Sequence, residues 1–182
     1  MAYFSSREIA AIALSAALWA VINWTVAPVF WNLTHLPILC DTAGISLLTL
    51  IVWWVRKPGA ATLMGVIATI LNFMLRPEAT QFLGFTAASL VFDVLVSAVG
   101  YGGILNRRLV STISLFIISV LSTLVAGFII GTFFMNPMFL SNMFGGVTFF
   151  AALHGAGGLI GGILGGIFVR GLEARRVIQL HS

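Results

Sequence analysis

The sequence predicts an all-α, polytopic membrane protein: a bundle of six transmembrane helices with both termini in the cytoplasm. Composition is the first reason, since 60% of the residues are hydrophobic and only 8% are charged, whereas a soluble domain is about one-quarter charged. So few charges cannot cover a surface that faces water, and a bilayer is the solvent that suits such a chain. The spacing of the apolar runs and the placement of the basic residues are the other two reasons.

Six apolar runs approach the ~20 residues that a membrane-spanning helix needs. Polar or proline-containing turns separate several of them, such as Arg56-Lys57-Pro58-Gly59 after the second run and Asn136-Pro137 after the fifth. The first run is long enough to span and lacks a signal-peptide cleavage pattern, so we expect it to be retained. The predicted helices form a single transmembrane domain over residues 1–182 and cover residues 9–30, 42–55, 60–75, 82–105, 109–134 and 144–172.

The basic residues predict the orientation of these helices. Cytoplasmic segments of membrane proteins carry an excess of Lys and Arg. With the N-terminus inside, eight of the nine basic residues fall on the cytoplasmic side, and only Arg76 falls outside. The cytoplasmic set is Arg7, Arg56, Lys57, Arg107, Arg108, Arg170, Arg175 and Arg176. Merging or losing one helix would scramble this alternation.

The sequence gives no sign of enzymatic chemistry. It contains no His-Glu-x-x-His helix, no Gly-x-x-x-x-Gly-Lys phosphate loop and no recognisable nucleophile motif. We therefore expect no catalytic residue, no ATPase of its own, no cofactor and no metal. The basic residues are scattered at segment ends, which argues against nucleic acid. The lone Cys40 is expected to be a small buried residue.

Asp93 is the most informative single residue in the sequence. It lies about halfway along the fourth predicted helix, among Val and Phe neighbours. A carboxylate there costs ~2.5–3.5 kcal/mol to insert, so such residues usually face a cavity or a partner. We favour a ligand-binding role, and a structural hydrogen bond to Ser or Thr of a neighbouring helix is the alternative.

Other polar and aromatic residues are predicted to form a chamber that opens to the outside. An external loop, 31–41, is rich in aromatic and hydrogen-bonding groups, which fits either an interfacial belt or a lid over a pocket. The acidic residues of the outer half, Asp41, Glu78 and Asp93, outweigh Arg76 and give a net charge of −3 + 1 = −2. This balance favours a cationic or neutral ligand. The lesser candidates for ligand contact are Trp31, His35, Asn72, Glu78 and His154; for the polar ones, hydrogen bonding between helices is the alternative.

Small residues line two predicted helices. On the first, Ala10, Ala13, Ala17 and Ala20 recur at spacings of three and four and so share one face. That face fits packing within the bundle or docking of a partner protein equally well. The sixth helix carries two glycine ladders, one through Gly157, Gly161 and Gly165 and the other through Gly158, Gly162 and Gly166. For these ladders we expect packing within the bundle.

The architecture resembles the substrate-binding S-component of energy-coupling factor (ECF) importers, small six-helix proteins with both termini inside. The motifs that carry the resemblance are Ala13-Leu14-Ser15-Ala16-Ala17 on the first helix and Arg56-Lys57-Pro58-Gly59-Ala60-Ala61 after the second, together with the acidic position at Asp93. Within that family the chain is most similar to the YkoE type, which is associated with thiamine or its hydroxymethylpyrimidine precursor. It differs from that type in the third helix, where Gly65 and Asn72 stand in place of acidic residues.

The resemblance implies a function in vitamin uptake across the plasma membrane. An S-component binds a vitamin from outside and then docks on a coupling module, which consists of a transmembrane coupling subunit and two ATPases. Ala13 and Ala17 would lie on the docking face. Two other classes remain open: a self-sufficient small-molecule transporter or channel, and a membrane scaffold protein without a ligand.

Overall fold

The computed structural model describes residues 3–101 and 108–175, and the side chains of 108–111 are not among them. Within this part of the chain the fold is all-α with no strands, which confirms the predicted class. The helices are α1 (Ser6–Thr34), α2 (Ile38–Val55), α3 (Ala60–Leu75), α4 (Leu83–Val99), α5 (Arg108–Phe133), α6 (Pro137–Phe144) and α7 (Val147–Ala174), and a 3₁₀ turn, Thr80–Phe82, precedes α4.

Five of these helices, α1, α2, α4, α5 and α7, are long and apolar enough to cross a membrane. Exposed apolar side chains cover the outward faces of the bundle, for example Leu14 on α1 and Ile113 on α5. Such surfaces suit contact with lipid and not with water. The described chain is therefore a membrane-embedded helical bundle.

The remaining predicted span, α3, has 16 residues, which corresponds to about 24 Å of helix. It nevertheless runs the length of the bundle. The start of α3 lies at one end of the bundle, because it follows Lys57, which pairs with Glu8 at the start of α1. The end of α3 lies at the other end, because Arg76, which follows it, lines the same chamber as the first residues of α2 and α4. The described residues therefore contain five helices of spanning length, and α3 is a shorter apolar helix that lies beside them.

The two ends of the bundle differ in chemistry. At one end, which we call the basic end, Lys57 Nζ lies 2.8 Å from Glu8 Oε2, and Trp53 Nε1 donates to Glu173 Oε1 at 2.9 Å. These contacts hold the first turn of α1 and the last turn of α7 beside the α2–α3 turn, so both lie at the same end. The opposite end, which carries α6 and the α3–α4 connection, we call the loop end.

Helix boundaries differ from the predictions mainly at the loop end. The predicted external loop 31–41 shrinks to a tight turn, because α1 continues to Thr34 and α2 begins at Ile38. His35 ends α1 in the left-handed conformation, with φ 57°. The turn after α5 contains the unpredicted α6, which Asn136 caps and which Gly145 and Gly146 end at positive φ. The predicted end of the fourth helix at residue 105 lies outside the described residues.

The glycine ladders of α7 pack inside the bundle, as expected. A Cβ on Gly161 would meet Thr42 O and the Ile45 side chain of α2 at 2.8–2.9 Å. On the other ladder, a Cβ on Gly158 would overlap Thr123 Oγ1 and approach Ser119 O of α5 at 2.7 Å. The backbone of α7 is thus wedged between α2 and α5, at distances that a side chain larger than hydrogen would prevent. Ser46 Oγ joins α2 to α7 by donating to Gly161 O at 3.1 Å.

The orientation of the bundle in the membrane can be measured with two engineered cysteines. In a Cys40→Ser background, we expect Asn142→Cys, exposed on α6, to react with an impermeant maleimide in intact cells. Lys57→Cys at the basic end should react only after permeabilisation, because basic segments stay in the cytoplasm. Labelling of both cysteines in intact cells would contradict the predicted orientation.

Candidate functional site

A chamber of about 540 Å³ lies at the loop end of the bundle. Its volume falls within the ~300–1,000 Å³ range of small-molecule sites. The second half of α1, the first turn of α2, the start of α4, the end of α5 and the start of α7 all contribute to its walls. The chamber is therefore built where most of the long helices converge.

Aromatic rings form much of the chamber wall. Trp19 and Phe85 are stacked, with ring centroids 3.8 Å apart and planes 12° apart, and Phe82 meets Trp19 edge-on at 5.4 Å. Trp19 Nε1 donates to Cys40 O at 3.2 Å, which ties this wall to α2. Gly44 makes the wall possible, because a Cβ there would approach a Phe85 ring carbon at 2.5 Å. Trp19 is only 1% and Phe85 7% exposed, so the two rings pack mainly on each other at the chamber wall.

A buried acid–base pair joins α2 to α7 in the chamber. His154 Nδ1 lies 2.7 Å from Asp41 Oδ2, and the two residues are only 4% and 7% exposed. The contact is close enough for an ion pair, but its angle is not that of a directed hydrogen bond. Gly157 permits the approach, since a Cβ on it would lie 2.9 Å from Asp41 Cβ.

Asn23 adds a second buried polar group on α1. Its side chain is fully buried, and its Nδ2 donates to Trp19 O at 2.9 Å. Its Oδ1 has no hydrogen-bond partner, and neither does His154 Nε2. Buried polar atoms are nearly always paired, with protein, water or a ligand. Both residues line the chamber, so a bound molecule could supply the missing partners.

Two of the predicted ligand-binding residues line this chamber. They are Trp31, from the end of α1, and His154, from the second turn of α7. The remaining candidates, His35, Asn72, Glu78 and Asp93, are not among its lining residues. His35 forms the α1–α2 turn, with its ring 5.9 Å from Trp31. Asn72 is buried and donates to Ala68 O at 2.9 Å within α3, whereas the Glu78 side chain is exposed.

Asp93 pairs with Thr62 in the first turn of α3, at the end of that helix away from Asn72. Its Oδ2 accepts from both the backbone N and the Oγ1 of Thr62, at 3.0 and 2.9 Å. The helix begins after Gly59, which has no side chain to cap it, so the first N–H groups of α3 need an acceptor from elsewhere. Asp93 supplies that acceptor from α4. This is the hydrogen bond to a neighbouring helix that the sequence offered as the alternative role.

The effect of changing Asp93 follows from this contact. Asp93→Leu removes the acceptor and leaves the Thr62 N–H unpaired, which should lower the free energy of unfolding by about 1–3 kcal/mol. Asp93→Asn keeps one acceptor oxygen and should cost less. A lower thermal midpoint with unchanged ligand affinity is the expected result for both variants. Weaker ligand affinity at an unchanged thermal midpoint would instead show that Asp93 contacts the ligand.

The chamber also contains residues that the sequence did not single out as ligand contacts. Asn23 is not among the predicted contacts, and Asp41 falls in the predicted external loop 31–41, whereas it lies in the first turn of α2. Trp19 lies among apolar residues in the sequence and is not predicted as a ligand contact either. The available signal was the helical spacing of Trp19, Asn23, Ala27 and Trp31, each four residues apart and therefore on one face of α1.

The electrostatics of the chamber differ from the predicted acidic half. Asp41 and Arg76 are the only lining residues with full opposite charges in the described part of the chain, and their sum is −1 + 1 = 0 when His154 is neutral. Asp93 is engaged with α3 and Glu78 is exposed. The preference for a cationic ligand that was inferred from a net charge of −2 therefore has no basis in the chamber lining.

A larger cleft of about 1,030 Å³ opens at the basic end, between α2, α4, α5 and α7. Most of its lining is apolar, and the polar groups near its mouth are already engaged. Arg170 Nη2 donates to Thr112 Oγ1 at 2.7 Å, and Glu173 accepts from Trp53. None of the unpaired buried polar atoms of the described residues belongs to its lining. The smaller chamber is therefore the better candidate for a specific ligand.

The chamber thus combines a suitable volume, flat aromatic walls and buried polar atoms without partners, which together are typical of a small-molecule binding site. No protein-family model, curated protein or solved structure matches this chain.

Proposed function

We propose that this chain is the substrate-capture subunit of an energy-coupled vitamin importer in the plasma membrane, of the ECF S-component kind. The observation that carries the proposal is the loop-end chamber, in which Asn23 Oδ1 and His154 Nε2 are buried without partners. Leaving a buried polar atom unpaired costs about 1–3 kcal/mol. A ligand that pairs with these atoms recovers this cost and gains affinity from it.

The location of the chamber supports capture from outside. It lies at the end opposite the Glu8–Lys57 pair and the charged turn after α2, and basic segments mark the cytoplasmic side. A vitamin that enters from the external solution would meet the rim first, where Arg76 and Gln81 are partly exposed. Thiamine and hydroxymethylpyrimidine are the first candidates, because the resemblance to the YkoE type implies them and aromatic residues line the chamber.

Transport would require a partner that supplies energy. The proposed partner is a coupling module made of a transmembrane subunit and two ATPases. The face of α1 is available for it: only 28% of the spanning window of this helix is buried within the bundle, less than in α2, α4, α5 or α7. Ala13 and Ala17 on that helix are partly exposed, so another helix could approach closely there.

The direct test of this proposal is a ligand panel on detergent-purified protein. Thermal stabilisation by thiamine or hydroxymethylpyrimidine, followed by titration calorimetry, is the expected result. Stabilisation by a different vitamin would keep the capture function and change the substrate. If no compound stabilises the protein, the scaffold class gains support. Uptake by proteoliposomes that contain this chain alone would instead favour a self-sufficient transporter.

The docking face can be tested separately from the chamber. Ala17→Trp should leave ligand affinity within about twofold of wild type but abolish uptake in cells that contain the coupling module, because an indole blocks close helix approach. Leu14→Trp is the matched control, since Leu14 on the same helix is already large and 71% exposed. Loss of ligand binding in Ala17→Trp would show that the alanine face packs within the bundle.

A further inference from the structure

The contact between α5 and α7 loosens toward the basic end of the bundle. A Cβ on Gly158 or Gly162 would meet atoms of Ser119 on α5 at 2.7 Å. A Cβ on Gly166, one turn further along the same ladder, would find its nearest atom, Leu115 Cδ2, at 3.8 Å. The two helices therefore move apart over the last turns of the ladder, and the cleft of about 1,030 Å³ opens where they separate.

This cleft has about the depth of one leaflet of a bilayer. On α7 its lining runs from Ile163 to Glu173 and beyond, and ten positions of helix correspond to about 15 Å. The hydrocarbon of a bilayer is ~30 Å thick, so each leaflet contributes about half of that thickness. Ile113, Ile163 and Ile167 at the edges of the cleft are 40–58% exposed on the outside of the bundle, whereas Phe92 in its wall is buried. The cleft is thus an apolar groove that opens sideways toward lipid.

Two opposite charges lie at the mouth of this groove without pairing with each other. Arg170 and Glu173 are exposed and three positions apart on α7, so they occupy neighbouring places on its surface. Arg170 Nη2 donates to Thr112 Oγ1, and Glu173 Oε1 accepts from Trp53 Nε1. Among the described residues, neither of the two charges forms an ion pair. A guanidinium has five N–H groups and a carboxylate has two oxygens, so both charges keep hydrogen-bonding capacity for a ligand.

We infer that the cleft binds a phospholipid whose headgroup joins a phosphate to a primary ammonium, as in phosphatidylethanolamine, from the leaflet at the basic end. One acyl chain lies in the apolar groove, the phosphate lies against Arg170, and the ammonium donates to Glu173. Basic side chains between transmembrane helices are suited to lipid phosphates, and hydrogen bonds between charged groups are the strong ones. This site is separate from the loop-end chamber, and the inference does not depend on the proposed function.

The pair of charges predicts which headgroup is preferred. Phosphatidylcholine has the same phosphate, but its quaternary ammonium has no N–H to donate to Glu173. Phosphatidylglycerol is anionic and offers Glu173 no cation. Both should therefore satisfy Arg170 and leave the carboxylate without a hydrogen-bonding partner from the lipid.

Competition between lipids that carry identical dioleoyl chains tests this inference. Native mass spectrometry of the full-length chain is performed in mixed micelles that contain equal amounts of phosphatidylethanolamine, phosphatidylcholine and phosphatidylglycerol. We expect phosphatidylethanolamine to be bound in roughly tenfold excess over each of the others, the effect of one hydrogen bond between charged groups. Equal binding of the three lipids, a preference for either of the others, or the absence of bound phospholipid would overturn the inference.

Two substitutions separate the roles of the charges. Glu173→Gln keeps an oxygen that can accept from Trp53 but loses its negative charge. It should bring the ratio of bound phosphatidylethanolamine to phosphatidylcholine to within about twofold of one. Arg170→Gln should instead weaken all three lipids, because all three contain the phosphate. An unchanged lipid preference in Glu173→Gln would contradict the inference.

Filling the groove provides an independent test of where the acyl chain lies. Gly166→Leu adds a side chain inside the groove and should displace the bound lipid. Gly171→Leu is the matched control, because Gly171 lies outside the lining and a Cβ there would meet nothing within 4 Å. Equal lipid binding by the two leucine variants would place the lipid elsewhere on the bundle and overturn the inference. If Gly166→Leu does not fold, the wild-type competition and Glu173→Gln remain decisive.

Discussion

Replacing Gly158 with alanine should lower the free energy of unfolding by about 1–3 kcal/mol, the usual cost of overpacking a well-packed interior. The added Cβ would overlap Thr123 Oγ1 and lie 2.7 Å from the backbone oxygen of Ser119. A side-chain hydroxyl can rotate away, but a backbone oxygen moves only if α5 moves with it. Because α7 is also in close contact with α2 through Gly157 and Gly161, it cannot retreat on the other side. Gly158→Leu should therefore prevent the bundle from assembling.

Gly166→Ala is the matched control for this prediction. It lies two turns further along the same ladder, and the nearest atom to its Cβ would be Leu115 Cδ2 at 3.8 Å, an ordinary contact distance. Alanine should be tolerated there and could stabilise α7 by about 0.5–1 kcal/mol through its higher helix propensity. Thermal midpoints from size-exclusion chromatography of heated, detergent-purified protein provide the comparison. Equal midpoints for both alanine variants would show that the α5–α7 contact is not tight.

Asp41→Asn should weaken the ligand that best stabilises the wild type by about thirtyfold or more, which corresponds to ~2 kcal/mol or above for the loss of one partner of a buried Asp–His pair. The substitution preserves size, so the close packing of Asp41 against Gly157 is retained. The imidazole of His154 loses the buried carboxylate that lies 2.7 Å from its Nδ1.

Glu78→Gln is the control, because Glu78 is an exposed carboxylate at the same end of the bundle and should leave affinity unchanged. A double variant, Asp41→Asn with His154→Gln, measures the coupling of the pair. If the two residues act through each other, the double variant should bind about as weakly as either single variant. Undiminished affinity in Asp41→Asn would remove the pair from the binding site.

The sequence was sufficient for the fold because lipid imposes simple rules on it. Apolar length, polar turns and basic residues identified five long helices and the shorter α3, and the glycine ladders indicated the close packing of α7. The end of α1 was harder to place. The sequence predicts that residues 31–34 belong to a polar loop. In the structure α1 continues through them and ends at His35, because one polar turn does not end a helix that is stabilised by neighbouring helices.

The candidate site was predicted less well than the fold, and Asp41 and Asp93 show why. The cost of inserting a carboxylate identifies Asp93 as a residue that needs a partner, but the partner could be a ligand or another helix. Only the axial offset between α3 and α4 places Thr62 within 3.0 Å of it. Asp41 had the opposite problem: it was assigned to a loop, and its pairing with His154, 113 positions later in the chain, depends on how α2 and α7 are rotated.

The contact between Asp93 and Thr62 also constrains the order in which the chain can enter the membrane. Alone in a bilayer, α4 would carry an unpaired carboxylate, which is unfavourable in lipid, and α3 is a short helix that begins without a cap of its own. Asp93 of α4 accepts the unpaired N–H at the start of α3, and this contact in turn gives the carboxylate its partner. Only a short connection separates the two helices. The two segments should therefore leave the translocation channel as a hairpin, and a ribosome-bound chain that ends before α4 should retain α3 in the channel.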